Sequence, residues 1–283
     1  MQTVLYSGQN RVTIDSQGPI TIIGEKINPT GNPHLVEALK AGDLTHVHLL
    51  ASRQIEAGAE VLDVNVGHPQ VEEIRCLPLV LKFLQESFDI PLAIDSPDPA
   101  SLAAALGAVR GRTLINSVNG HRSSLERILP LVAEHRVAVI GLTLDEQGIP
   151  DNADQRLRVA ERILEAAAGL GISPSDVLID PLVLSVASDD QSALAALSAI
   201  QRIRQALDVN IVLGASNVSF GLPQRLTVNR AFAAMAAFAG ASAVITDPAT
   251  LAPLIRAADL LLGRDAFAAR YLAHHRRGEQ KGG

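Results

Sequence analysis

Asp63 and Asn65 stand two apart in the apolar stretch Leu-Asp-Val-Asn-Val-Gly (62–67). In an extended strand, residues two apart point to the same face, so a carboxylate and an amide share one surface of an otherwise apolar segment. Buried groups of that kind need polar partners. The pattern of an apolar run ending in polar residues recurs along the chain. Glu25 follows the run at 20–24, Asp95 lies in Ala-Ile-Asp-Ser (93–96), and Asn116 and Asn119 lie in Ile-Asn-Ser-Val-Asn (115–119). Asp180 lies in Ile-Asp-Pro-Leu (179–182), Ser216 and Asn217 in Gly-Ala-Ser-Asn-Val-Ser (214–219), and Thr143 and Asp247 hold similar positions. Carboxylates accept hydrogen bonds from N–H and NH₂ groups, whereas Asn both donates and accepts. Such a ring suits a neutral, amide-rich heterocycle, and the 2-amino-4-oxo pyrimidine edge of a reduced pterin carries those donors beside an acceptor. A phosphorylated ligand calls instead for Arg, Lys or a glycine nest. Asp, Asn and Ser also have a plainer use as helix caps and in Asx turns, and Ser96 and Asp247 read that way.

Eight short segments must position these residues. The strand-like runs are 20–24, 60–66, 92–95, 113–117, 138–143, 177–180, 211–214 and 243–247. They alternate with amphipathic segments at 45–57, 72–87, 99–109, 123–134, 154–170, 192–206, 227–238 and 253–262, whose apolar residues recur three and four apart. That order predicts an α/β chain folded as a (β/α)8 TIM barrel, with the polar residues at the C-terminal strand ends where barrel active sites are built. An open doubly wound sheet is the alternative, but no G-x-G-x-x-G follows the first strand. Residues 3–7 and 11–15 flank a Gly-Gln-Asn turn and predict a short β-hairpin over the barrel's N-terminal face. The expected organisation is a hairpin extension at 1–19, a barrel at 20–272 and a polar, flexible tail at 273–283.

The 283-residue chain, 47% hydrophobic, is long enough for one large domain. Its net charge of −6 supplies no concentrated positive field, which argues against nucleic acid or a membrane surface as partner. Aromatics at 3% and no Trp argue against an aromatic stacking surface for single-stranded nucleic acid or sugar. The single Cys76 leaves no intrachain disulfide and no thiolate metal site, so no bound metal is expected and a reducing, cytoplasmic location fits. The N-terminus lacks a signal-peptide pattern, and no apolar run reaches the roughly 18 residues of a membrane span.

Taken in order with Ile-Gly-Glu-Lys-Ile-Asn (23–28), these segments resemble the pterin-binding methyltransferases, in particular the methyltetrahydrofolate:corrinoid protein methyltransferase group. The resemblance runs from about residue 20 to 265 and includes Gly-Leu-Thr (141–143) and Gly-Ile-Pro (148–150). It implies a barrel, usually homodimeric, that binds 5-methyltetrahydrofolate and exchanges its N5-methyl group with the cobalt of a separate corrinoid protein. Asp95, Asn116 and Asp180 would hold the pterin, and Asn217 would approach N5. Glu25, Asp63, Asn65 and Ser216 would play supporting roles. Two departures are Ala215, where the family pattern Gly-Leu-Ser-Asn has leucine, and the first 19 residues, which extend beyond compact members.

A methyl group on a neutral tertiary amine is a poor electrophile, so SN2 transfer requires proton or hydrogen-bond donation to N5. No His or Lys is well placed to act as the acid: His68 is the nearest loop candidate, His46 and His48 lie in a predicted helix, and Lys26 follows Glu25. A hydrogen-bond network ending at Asn217 is the expected device. The rival enzyme reading is a dihydropteroate synthase. That family resembles this barrel but places an Arg-Lys pair where this chain has Ser216-Asn217. A non-catalytic folate-binding protein is the reading from another class.

Overall fold

The computed structural model describes residues 1–279. The chain opens with a hairpin in which β1 (Gln2–Ser7) and β2 (Asn10–Asp15) pair antiparallel across a turn with Gly8 at φ +53°. Eight parallel strands then form a closed barrel: β3 (Thr21–Ile27), β4 (Val61–Val64), β5 (Leu92–Asp95), β6 (Leu114–Asn119), β7 (Ala138–Leu142), β8 (Val177–Asp180), β9 (Asn210–Gly214) and β10 (Ala243–Thr246). Each strand neighbours the next in sequence, and β10 closes against β3. The expected TIM barrel and hairpin are both present.

The outer layer comprises α1 (Pro33–Ala41), α2 (Thr45–Glu56), α3 (Glu73–Ser87), α4 (Pro99–Ala108), α5 (Arg122–His135), α6 (Ala153–Gly169), α7 (Ser192–Leu207), α8 (Arg225–Ala239), α9 (Pro248–Leu261) and α10 (Ala269–Glu279). Three details differ from the sequence expectation. The nine-residue α1 is additional; Asn32 accepts from Leu35 N–H at its start, and Gly42 ends it in the left-handed region at φ 69°. Helix α9 begins at Pro248 rather than 253, because Asp247 accepts from Ala249 N–H. Helix α10 runs through Glu279, so 273–279, expected to belong to a tail, are helical. The two Asp265 oxygens receive Arg270 and Tyr271 N–H at 3.0 and 2.9 Å, tying down the start of α10. The last four tail residues, 280–283, lie outside the described residues.

The two-residue period of each strand sorts side chains into two cores. Outward residues such as Ile22, Leu62, Ile94 and Ile179 pack with the helices. Inward residues such as Ile23, Val61, Ala93, Leu114 and Leu178 form a second buried cluster, joined by Leu5 and Ile14 of the hairpin. Asn210 holds the hairpin from inside, donating to Thr3 Oγ1 at 3.0 Å and to the Ile14 carbonyl at 2.9 Å. The barrel is thereby filled by apolar side chains below and sealed at its N-terminal end. Asp98 starts the helix that follows β5. Its carboxylate caps α4 by accepting from Ala100 and Ser101 N–H, while Ser96, expected to cap, instead accepts Asp98 N–H at 3.1 Å. Asp98→Ala is expected to cost about 1 kcal/mol of stability, measurable as a lower midpoint in urea unfolding.

Candidate active site

The same inward period continues upward from the apolar layer. Two residues beyond Ile23 is Glu25, beyond Val61 are Asp63 and then Asn65, and beyond Ala93, Leu114 and Leu178 are Asp95, Asn116 and Asp180. Apolar packing below thus gives way to a polar rung at the strand C-termini.

Hydrogen bonds divide that rung. Asn116 Nδ2 donates to Asp63 Oδ1 at 3.1 Å, and Asn65 Nδ2 donates to Asp95 Oδ2 at 2.9 Å, while Asn65 Oδ1 accepts Gly67 N–H at 2.8 Å. Four of the expected residues therefore meet at the C-terminal ends of β4, β5 and β6. Asp180 is held separately on β8, accepting Leu182 N–H at 2.7 Å. On the far side, Ser216 Oγ donates to Glu25 Oε1 at 2.8 Å. Ser216 and Asn217 occupy a short 3-10 turn (Ala215–Ser219) after β9. The Asn217 side chain is exposed, and Gly214 leaves room for it, since a Cβ there would sit 3.2 Å from Asn217 Nδ2.

Burial dominates the electrostatics. It raises Asp63 well above the usual carboxylate range, reinforced by the Asp95 and Glu25 charges and opposed by the Asn116 hydrogen bond. Burial also raises Asp95, with the Asn65 bond opposing and Glu73 adding to the rise. Of this pair, the more deeply buried Asp63 holds its proton harder. Burial pushes Asp180 up to about 7, against the lowering effect of Leu182 and Gly214 N–H and of Arg156. A buried carboxyl donates a hydrogen bond when protonated and only accepts when ionised, and Asp180 changes between the two at about pH 7.

A cavity of about 530 Å³ opens beside Asp95 and Asn116, lined also by Ser117, Asn119, His121 and Arg127. Its lining does not reach Asp180, Glu25 or Asn217. Three residues that shape the site escaped the sequence reading. Arg156 donates to the Pro181 and Leu182 carbonyls at 2.9 and 2.8 Å, bracing the loop after Asp180. Arg225 donates to Ser216 O at 2.8 Å and Ser219 Oγ at 3.1 Å, clamping the Asn217 turn. Gln54, on α2, accepts Lys26 N–H at 2.8 Å beside Glu25. Arg156 and Gln54 carried one available signal, a polar residue on the buried face of a predicted helix.

A closed barrel with buried carboxyls and amides at its strand C-termini defines the class: an α/β-barrel enzyme whose mouth is built for a small hydrogen-bonding ligand. A family model described as "Pterin binding enzyme" matches residues 24–247, and the chain belongs to that family. It is 32% identical over 263 residues to the methylcorrinoid:tetrahydrofolate methyltransferase of Eubacterium limosum, covering 91% of this chain and 97% of that protein. It is also 32% identical over 250 residues to the methionine synthase of Mycobacterium tuberculosis, covering 84% of this chain but only 21% of that longer protein. Among solved structures, Yersinia pestis dihydropteroate synthase superimposes with a TM-score of 0.69 at 20% identity, covering 93% of this chain and 100% of that one. Xanthomonas albilineans dihydropteroate synthase in complex with 7,8-dihydropteroate gives a TM-score of 0.68 at 24% identity, covering 91% and 98%. At those identities the two structures share the fold.

Proposed function

We propose that this barrel moves the N5-methyl group between 5-methyltetrahydrofolate and the cobalt of a corrinoid protein. The observation that carries the proposal is the likeness, over 97% of its length, to a methylcorrinoid:tetrahydrofolate methyltransferase. Asp95, Asn116 and Asp180 hold the pterin ring, Asn217 faces N5, and Asp63 and Asn65 orient Asn116 and Asp95 through the bonds described. Tetrahydrofolate and its methyl derivative are substrates, and the corrinoid arrives on its own protein. A homodimer and a cytoplasmic location belong to the same reading; among the described residues, no helix is long and apolar enough to cross a membrane.

The dihydropteroate synthase reading is disfavoured because the turn after β9 offers Ser216 and Asn217, neither of which is a cation for a pyrophosphate leaving group. Mixing the protein with cob(I)alamin and 5-methyltetrahydrofolate and following the cobalt spectrum tests the proposal. Enzyme-dependent methylcobalamin is expected. Neither forward nor reverse transfer, with folate binding intact, would leave the non-catalytic reading in its place.

The Asp180 carboxyl gives the proposal a pH signature. Its affinity for a proton in the free protein is raised to about 7. Pterin N–H donors favour the carboxylate, so binding below that pH must expel a proton. Affinity is therefore expected to fall as pH drops below about 7, by up to tenfold per unit, and to level off above it. Fluorescence titration of wild type against Asp180→Asn checks this; parallel profiles for the two would refute it.

A further inference from the structure

Glu25 differs in its connections from the carboxyls that share a patch on β4 to β6, because it is bonded to the turn bearing Asn217. Its Oε1 accepts Ser216 Oγ at 2.8 Å, and Ser216 directly precedes Asn217. The register between β3 and β4 shifts between Gly24 and Ile27, a bulge that spans Glu25. Bulges of this kind re-aim a side chain. Gln54, 2% exposed, maintains it by accepting Lys26 N–H through Oε1. Gly24 is part of the same device, since a Cβ at that position would lie 2.5 Å from Gln54 Oε1.

The charged groups facing Glu25 are balanced. Lys26 precedes the loop after β3 and lies 3.9 Å from Asp247, which caps α9; Arg225 comes from α8, and Asp63 from β4. Burial raises the carboxyl's hold on its proton, while the Ser216 bond, Lys26 and Arg225 lower it and Asp247 raises it. A half-buried carboxyl in hydrogen-bond contact with a hydroxyl is an arrangement through which a proton can pass.

We propose that Glu25 and Ser216 form the relay that delivers a proton to N5 as the methyl group leaves. This rests on the methyl-transfer reading above. The C–N5 bond breaks with its electron pair remaining on nitrogen, and the pair on the corrinoid cobalt(I) forms the new bond to carbon. With Glu25 protonated, the carboxyl O–H donates to Ser216 Oγ and the hydroxyl turns towards N5; Ser216 Oγ then gives its proton to N5 as it takes the Glu25 proton, and the carboxylate left behind is reprotonated from solvent at the mouth. The reverse reaction runs the same path backwards. Gln54 is a positioning residue that keeps the carboxyl on the hydroxyl.

The test is single-turnover methyl transfer from saturating 5-methyltetrahydrofolate to free cob(I)alamin, from about pH 5 to about pH 8. The wild-type rate is expected to fall as pH rises and Glu25 loses its proton. Glu25→Gln still accepts from Ser216 but holds no transferable proton. It is expected to bind the folate with near wild-type affinity, to react roughly a hundredfold more slowly and to lose the pH slope. Ser216→Ala should reproduce both changes, and the double variant should be no slower than either. If Glu25→Gln does not fold, Ser216→Ala carries the test, with the pH slope as readout. Gln54→Met is expected to weaken the pH slope at unchanged folate affinity. An active wild type whose pH profile survives in Glu25→Gln or Ser216→Ala overturns the relay alone. A wild type that leaves the cobalt spectrum unchanged overturns the methyl-transfer reading and the relay with it.

Discussion

Asn217→Ala is expected to slow methyl transfer by a hundredfold to a thousandfold while changing folate affinity by less than about threefold. The asymmetry follows from where charge develops. N5 carries a methyl group in the substrate and a lone pair seeking a proton as that group departs, so a donor aimed there binds the transition state better than the ground state. Asn217 is free to take that role because its turn is fixed by other residues. Ser216 is anchored to Glu25, Arg225 holds the Ser216 carbonyl and the Ser219 hydroxyl, and Gly214 leaves the amide space. Stopped-flow transfer to cob(I)alamin and equilibrium folate titration separate the two quantities. Equal damage to both, or an unaffected rate, would remove Asn217 from the reaction.

Asp180→Ala should show the opposite split, weakening folate binding on the order of a hundredfold with a smaller effect on the rate at saturation. A buried carboxylate facing ring N–H donors contributes charge-assisted hydrogen bonds, and its loss leaves those donors unpaired inside the barrel. The loop behind it loses the Leu182 N–H bond to the carboxylate but keeps a second hold, since Arg156 donates to the carbonyls of Pro181 and Leu182. Fold and loop should therefore survive the substitution, which circular dichroism would verify. Isothermal titration showing unchanged affinity would reject the assignment.

The barrel was legible because its strands are short, rich in β-branched residues and strictly alternate with amphipathic helical segments, and the polar residues ending them fall on the inward face by simple alternation. Asp63, Asn65, Asp95 and Asn116 could be grouped by that rule alone. Their pairing could not, because the Asn65 bond to Asp95 and the Asn116 bond to Asp63 depend on barrel closure and strand register, which one sequence does not display. Gln54 was missed for a related reason. On α2 it reads as one more polar helical residue, and its contact with Lys26 exists only after the helix folds back on β3. The short α1 carried too few turns for a clear period. The polar composition past residue 273 looked like a tail, although Asp265, several residues earlier, supplies the bonds that start α10.

The hairpin changes the kind of container the barrel is. With Leu5 and Ile14 inside the lower end, the tube becomes a cup with a dry, apolar floor, and the carboxyls stand just above it. Water can hydrate them only from the open side. A flat ring laid across the mouth would then act as a lid of its own making, stripping the remaining solvent in one step and strengthening every hydrogen bond beneath it.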